Sequence, residues 1–265
     1  LMTETNPITE INQDTPHKKT SLKLDKHTII ILCVIGALLA FFVLWSFFVL
    51  NDYLYGFERD FYFRLNTLDN NHSRRFAWII TRGGNVLVLL GVCVFLVILR
   101  KTRYVLGIKF LAIAGVAALL NQILKVIIDR PRPTFTNAET ATFSSAYPSG
   151  HSINAAVIAV VLIWFSVTHL KQKKWLALIV PVTVLVASMI ALSRVFLGVH
   201  YITDIVAGIT LGAIVSLGGM TFFPRWWACI GRWFGKFHKM RYIHGFFWQK
   251  EQEVDEISTP QKESN

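Results

Sequence analysis

Two histidines, three cations and one carboxylate lie between residues 125 and 204, and their types and spacing suit phosphate chemistry. Lys125, Arg132 and Arg194 have no matching number of acids near them in the sequence, and such a set calls for an anion. Arginine offers phosphate oxygens a planar fork, and lysine offers a point charge. Between these cations lies YPSGHS, residues 147–152, just ahead of an apolar run. If that run is a helix, Ser149 and Gly150 head it with backbone N–H groups, and a helix N-terminus is a ready anion site. The glycine lets the backbone approach closely.

His200 and Asp204 are four residues apart, so on a helix they share a face. A carboxylate there can hold one ring nitrogen and leave the other free to attack phosphorus. His151, on a different segment, is the candidate to give a proton to the leaving oxygen. Cations around the phosphoryl group would stabilise its developing charge. The set reads as phosphoryl transfer through a phosphohistidine, followed by hydrolysis. No carboxylate cluster accompanies it, so neither a metal nor another cofactor is expected.

The elements that must position these residues are membrane spans. Of 265 residues, 53% are hydrophobic and 16% charged, against about 25% charged in an ordinary soluble domain. The apolar residues fall into six blocks, roughly 29–50, 76–99, 104–124, 152–170, 175–193 and 205–223. About 20 apolar residues cross a bilayer as a helix, and these blocks are apolar all round rather than striped. The expected fold is therefore all-α, a polytopic integral membrane protein with six transmembrane helices. Block 29–50 is too long for the core of a signal peptide and is read as a retained anchor. Lys109, near a span end, is placed to snorkel.

Basic residues gather in residues 1–27, in the link with Arg100, Lys101 and Arg103, in the link with Lys171, Lys173 and Lys174, and after Pro224. The positive-inside rule assigns those segments to the cytoplasm, with both termini inside and the motif-bearing ends outside. The formal charge of +11 is scattered beside spans, which suits anionic lipid headgroups and argues against a nucleic-acid partner. Cys33, Cys93 and Cys229 suggest neither a disulfide nor a metal knot. Three segments are expected: a disordered cytoplasmic lead at 1–27, a six-span catalytic domain at 28–223, and a basic aromatic tail at 224–265. Part of that tail is expected to lie as a helix on the inner surface. Residues 51–75 are expected to hold an interfacial helix in the outer headgroup layer.

The motifs Lys125-x6-Arg132-Pro133, Pro148-Ser149-Gly150-His151 and Ser193-Arg194-x5-His200-x3-Asp204 resemble, in order and spacing, the three motifs of the type 2 phosphatidic acid phosphatase (PAP2) superfamily. The resemblance covers about residues 29–223. It implies a metal-independent lipid phosphatase with His200 as nucleophile, Asp204 as its orienter and His151 as general acid. Lys125, Arg132, Ser149, Gly150 and Arg194 would bind phosphate. The family spacing selects Arg132 over Arg130 in DRPRP. Within the family the chain looks like the bacterial phosphatidylglycerophosphate phosphatase B type. That type implies undecaprenyl pyrophosphate as the first substrate, and phosphatidylglycerol phosphate or phosphatidic acid as the alternative.

Asp129 and Arg130 are expected to form a solvated loop pair. Arg82 either meets a second phosphate or snorkels. Gly83 and Gly84 either loosen their helix or permit close packing. Ser193 either bonds locally or touches phosphate. Two rival readings remain: a lipid-phosphate binder or transporter without turnover, and a vanadate-dependent haloperoxidase, which shares these motifs but is soluble.

Overall fold

A computed structural model describes residues 25–98, 103–134 and 144–234. The expected N-terminal lead, the basic pair Arg100 and Lys101, and the tail beyond 234 lie outside them, apart from the lead's last three residues. The described residues form helices α1 (Lys26–Leu50), α2 (Tyr55–Asn66), α3 (Asn71–Thr81), α4 (Val86–Ile98), α5 (Arg103–Ile128), α6 (Gly150–His169), α7 (Leu176–Phe196) and α8 (Ile202–Phe234), with no strand among them. Five stretches are long and apolar enough to cross a membrane: Lys26–Leu50, Leu106–Ile128, Gly150–Thr168, Lys173–Phe196 and Ile202–Phe223. A sixth is reached when Asn71–Gly84 and Val86–Leu96, bent by 48°, are counted as one broken span.

That bend corrects the expectation of one continuous second span. Asn70 starts α3 early with a capping box: its side chain accepts from the His72 and Ser73 N–H groups, and Ser73 Oγ accepts from the Asn70 N–H. A 3₁₀ turn over Arg82–Gly84 ends that helix. Asn85 then turns extended and accepts from the Leu87 N–H at 2.9 Å, restarting the chain as α4 in a new direction. Both readings of the glycine pair hold at once. The helix breaks there, and a Cβ on Gly84 would lie 2.8 Å from Ile190 Cγ2 and 2.9 Å from His151 Cβ.

The closest packing in the bundle joins α6 to α8. Gly208 and Gly212, a G-x-x-x-G pair, face the small residues Ser149, Ser152 and Ala156. A Cβ on Gly208 would come within 2.6 Å of the Ser149 carbonyl oxygen, and one on Gly212 within 2.8 Å of Ala156 Cβ and of the Ile153 carbonyl oxygen. Small residues let helix backbones approach where lipid supplies no hydrophobic drive for association. Around this seam α1 and α5 add Phe42, Val49, Phe110, Ile113 and Ala117 to a buried apolar cluster. The outward faces stay apolar and bare: Val126 is 81% exposed and Leu87 71%, surface that only acyl chains would cover without cost.

α8 has 33 residues and spans roughly 50 Å at 1.5 Å per residue, more than a bilayer core of about 30 Å. It runs unbroken past 223, where the sequence suggested a separate surface helix. α2, within the region expected to be interfacial, packs against α7 and α8 and buries Glu58 and Tyr62.

Candidate active site

The C-terminal end of α5, the N-terminus of α6, the C-terminal end of α7 and the start of α8 meet at one end of the bundle. Lys125 lies in the last turn of α5, and its Nζ donates to the Ser145 carbonyl at 2.9 Å. Arg132, in the following loop, donates from Nε to the Ser144 carbonyl (3.0 Å), from one terminal nitrogen to the Val199 carbonyl (2.8 Å) and from the other to Ser144 Oγ (3.0 Å). Those bonds pin residues 144 and 199 together and leave a hydrogen on each terminal nitrogen. Arg194 donates to Thr81 Oγ1 at 3.0 Å, and its buried Nε has no partner. Among the described residues, none of these three cations meets a carboxylate.

Ser149 caps α6 without a side-chain capping bond. Its N–H donates to the Asp204 carbonyl at 3.1 Å, so it is not available to a ligand, contrary to the sequence reading. The first intrahelical bond runs from the Ile153 N–H to the Ser149 carbonyl, so the N–H groups of Gly150, His151 and Ser152 head the helix. His151, in that first turn, packs on Gly84 and lies within electrostatic reach of Arg194, His200, Lys125 and Arg132. The Asn154 side chain donates to the Gly84 carbonyl at 2.9 Å and holds the 3₁₀ turn against α6. Arg82 sits exposed on the same turn.

His200 is buried, but not on a helix. A turn through Gly198 (φ 72°) ends α7, and His200 lies in the connection before α8. Its contact with Asp204 therefore does not come from a shared helical face. Asp204, in the first turn of α8, reaches back: Oδ2 accepts from the Tyr201 N–H at 2.9 Å and lies 3.5 Å from His200 Nδ1. At that distance no hydrogen bond forms, and His200 Nδ1 is buried without a hydrogen-bond partner among the described residues. Burial pushes the His200 imidazole below its ordinary value; Asp204 opposes the shift, and Arg132 and Arg194 add to it.

Arg130 is the largest departure from the sequence reading. It is buried, not solvated. One terminal nitrogen donates to Asp204 Oδ1 at 2.6 Å and to Thr203 Oγ1 at 3.0 Å; the other donates to both Glu58 oxygens at 2.8 Å. Its guanidinium lies 4.2 Å from the centre of the Tyr201 ring. The expected partner Asp129 is exposed, at φ 40°. Two carboxylates therefore flank one guanidinium, and among the described residues Arg132, Lys125 and Arg194 make no ion pair. The doubled Arg-Pro was the signal for Arg130, but its position next to an acid suggested a surface pair. Glu58, one of four acids in the aromatic, charged segment 51–75, gave no signal. Ser193 bonds locally, its hydroxyl donating to the Ile190 carbonyl at 2.6 Å.

Beside Arg132 opens a cavity of about 590 Å³, lined in part by Asp52, Tyr55, Arg132 and Tyr201. Arg132 thus borders room for a larger group.

Comparison with known proteins finds relatives of this chain. Over 114 residues the chain is 40% identical to phosphatidylglycerophosphatase B of Bacillus subtilis, covering 41% of this chain and 54% of that protein. Over 142 residues it is 29% identical to undecaprenyl-diphosphatase of Sulfolobus acidocaldarius, covering 52% of this chain and 64% of that protein. The matches thus span between half and two thirds of these curated relatives. The crystal structure of the transmembrane PAP2-type phosphatidylglycerolphosphate phosphatase from Bacillus subtilis superposes with a TM-score of 0.65 at 27% identity, covering 72% of this chain and 96% of that one. Residues 106–228, which hold all three motifs, match the PAP2 superfamily, and the apolar helices together with this membrane neighbour make the chain a multi-pass membrane protein.

Proposed function

We propose that the protein is a membrane lipid phosphatase that removes phosphate from a lipid (pyro)phosphate through a phosphohistidine. The observation that carries this reading is charge: among the described residues Lys125, Arg132 and Arg194 make no ion pair, and Arg132 and Arg194 lie within electrostatic reach of a buried histidine backed by an aspartate. His200 Nε2 attacks phosphorus while Asp204 faces Nδ1–H and balances the cation that forms. Protonated His151 gives its proton to the departing oxygen as the P–O bond breaks. Water then attacks the phosphohistidine, neutral His151 takes the proton, and phosphate leaves. Lys125, Arg132, Arg194 and the N–H groups at the head of α6 hold the phosphoryl oxygens. Arg82, exposed on the turn beside His151, is positioned for a second phosphate.

The proposed substrate is undecaprenyl pyrophosphate, taken from the extracytoplasmic leaflet with both termini in the cytoplasm, as the basic links indicate. Phosphatidylglycerol phosphate is the second reading, favoured by the name of the 40% identical relative. Phosphate release from these two lipids and phosphatidic acid, with purified protein in detergent and excess chelator, tests the reaction and ranks the lipids. His200→Ala should abolish release. Turnover that needs added Mg²⁺, or a fully active His200→Ala protein, would overturn the reading.

A further inference from the structure

Asp204 meets two opposing demands. It must stay negative to stabilise the cation that forms on His200, yet Arg130 sits 2.6 Å from its Oδ1. A guanidinium at that distance on a buried carboxylate cancels most of its field. Glu58 meets the same guanidinium from the far side, both oxygens at 2.8 Å, and also accepts from the Thr203 hydroxyl. Accepting at both oxygens is the behaviour of an ionised carboxylate. Burial pushes Glu58 up from its ordinary value, while Arg130 and Thr203 hold it down. The set Glu58–Arg130–Asp204 then carries one net negative charge, the charge Asp204 would have alone, with its geometry fixed.

We infer that Glu58, on α2 and outside the segment that matches the family, is a positioning residue for the proposed reaction: it neutralises Arg130 so that Asp204 remains an effective counter-charge for His200. Arg130 serves as the clamp. It takes Oδ1 and leaves Oδ2 to the Tyr201 N–H and the imidazole. The pairs come from α2, from the loop after α5 and from the start of α8, so the outer helix is tied to the chemistry through two ion pairs.

The inference rests on the phosphatase reading, and the test separates the two. The groups facing His200 are Asp204, Arg132, Arg194 and His151; those facing Glu58 are Arg130, Thr203, Asp204 and Tyr201. Glu58→Gln keeps the shape and removes the charge. With full-length protein in detergent and phosphatidylglycerol phosphate or phosphatidic acid as probe, kcat should fall roughly 10–100-fold, with KM changed less than about threefold. The acid limb of the kcat profile should move to lower pH, because a cationic His200 loses its counter-charge. Arg130→Gln leaves two buried carboxylates facing each other and should be the less active variant. Glu58→Gln with Arg130→Gln returns the net charge to minus one and should recover at least part of the loss seen for Arg130→Gln alone. NMR titration of the His200 imidazole, assigned with His200→Gln, gives a readout without turnover: it should move to lower pH in Glu58→Gln and back in the double variant. If the unaltered protein releases no phosphate, the functional reading falls, and the titration alone still decides the role of Glu58. An unchanged acid limb and an unchanged titration in Glu58→Gln would overturn it. So would a double variant no better than Arg130→Gln.

Discussion

The 3₁₀ turn against α6 makes Gly84→Ala a sharp test of the site geometry. No left-handed backbone is required at Gly84, so only space forbids a side chain. An added Cβ would sit 2.8 Å from Ile190 Cγ2, 2.9 Å from His151 Cβ and 3.0 Å from His151 Cδ2. Ordinary contact begins at 3.4 Å, so the neighbours must retreat by roughly half an ångström. His151 Cβ cannot swing away, because it is fixed to the first turn of α6, and Asn154 bonds the turn to that same helix. The imidazole must therefore move. A misplacement of about 1 Å can cost about 100-fold in rate, so half of that predicts a loss of about 10-fold in kcat. The overpacking itself costs about 1–3 kcal/mol of stability. Two controls bracket the effect. A Cβ on Gly83 meets the Ile190 tip, Cδ1 at 2.9 Å and Cγ1 at 3.3 Å, and does not reach His151; one on Gly91 meets nothing within 4 Å. Phosphate release and thermal unfolding, measured side by side for the three alanine variants, should give a kcat loss confined to Gly84→Ala. Wild-type kcat in Gly84→Ala, or an equal loss in Gly83→Ala, would refute the contact between the turn and the proposed acid.

Burial of His200 and the α6–α8 seam lead to two further outcomes. The attacking imidazole must be neutral, and burial holds His200 below its ordinary value, so activity extends further into acid. The acid limb of kcat/KM should then lie below about 6.5, the value of an unperturbed histidine, and a limb above 7 would contradict the burial of the ring. In Gly212→Ala the new Cβ would meet the Ile153 carbonyl oxygen and Ala156 Cβ at 2.8 Å, both fixed to α6, so the α6–α8 seam must open. Thermal unfolding in detergent should show a loss of at least about 1–3 kcal/mol, and an unchanged midpoint would mean that the seam is looser than described.

The legible parts of the molecule were those with local signals. Apolar runs gave the spans to within a few residues, because length and composition alone decide what a bilayer accepts. The second span was half legible. Gly83 and Gly84 marked a weak point, but the break needed Asn70 and Asn85 to cap new helix starts on either side of it, and those are turn chemistries that hydropathy does not register. The seam of Gly208 and Gly212 was present in the sequence, yet a pair of glycines in a span identifies a partner only once the facing helix is known. His200 and Asp204 lie 3.5 Å apart, yet not through a shared helical face, since the chain turns through Gly198 rather than continuing as helix.

Arg130 shows why the remainder was hidden. Two arginines stand two residues apart in DRPRP, and the spacing of the family motif assigned Arg132 rather than Arg130 to the proposed anion site; its three nitrogens bond residues 144 and 199. Nothing within ten residues says that Arg130 turns inward, because its partners lie 72 and 74 residues away. Burying a guanidinium is tolerable only when carboxylates neutralise it, so the fate of Arg130 depends on whether α2 brings Glu58 to it. The same requirement acts in reverse. An anion site near Asp204 would be weakened by its negative charge, and a guanidinium clamped to that carboxylate reduces the repulsion. Arg130 thus takes both acids into ion pairs of its own, and among the described residues Lys125, Arg132 and Arg194 make none.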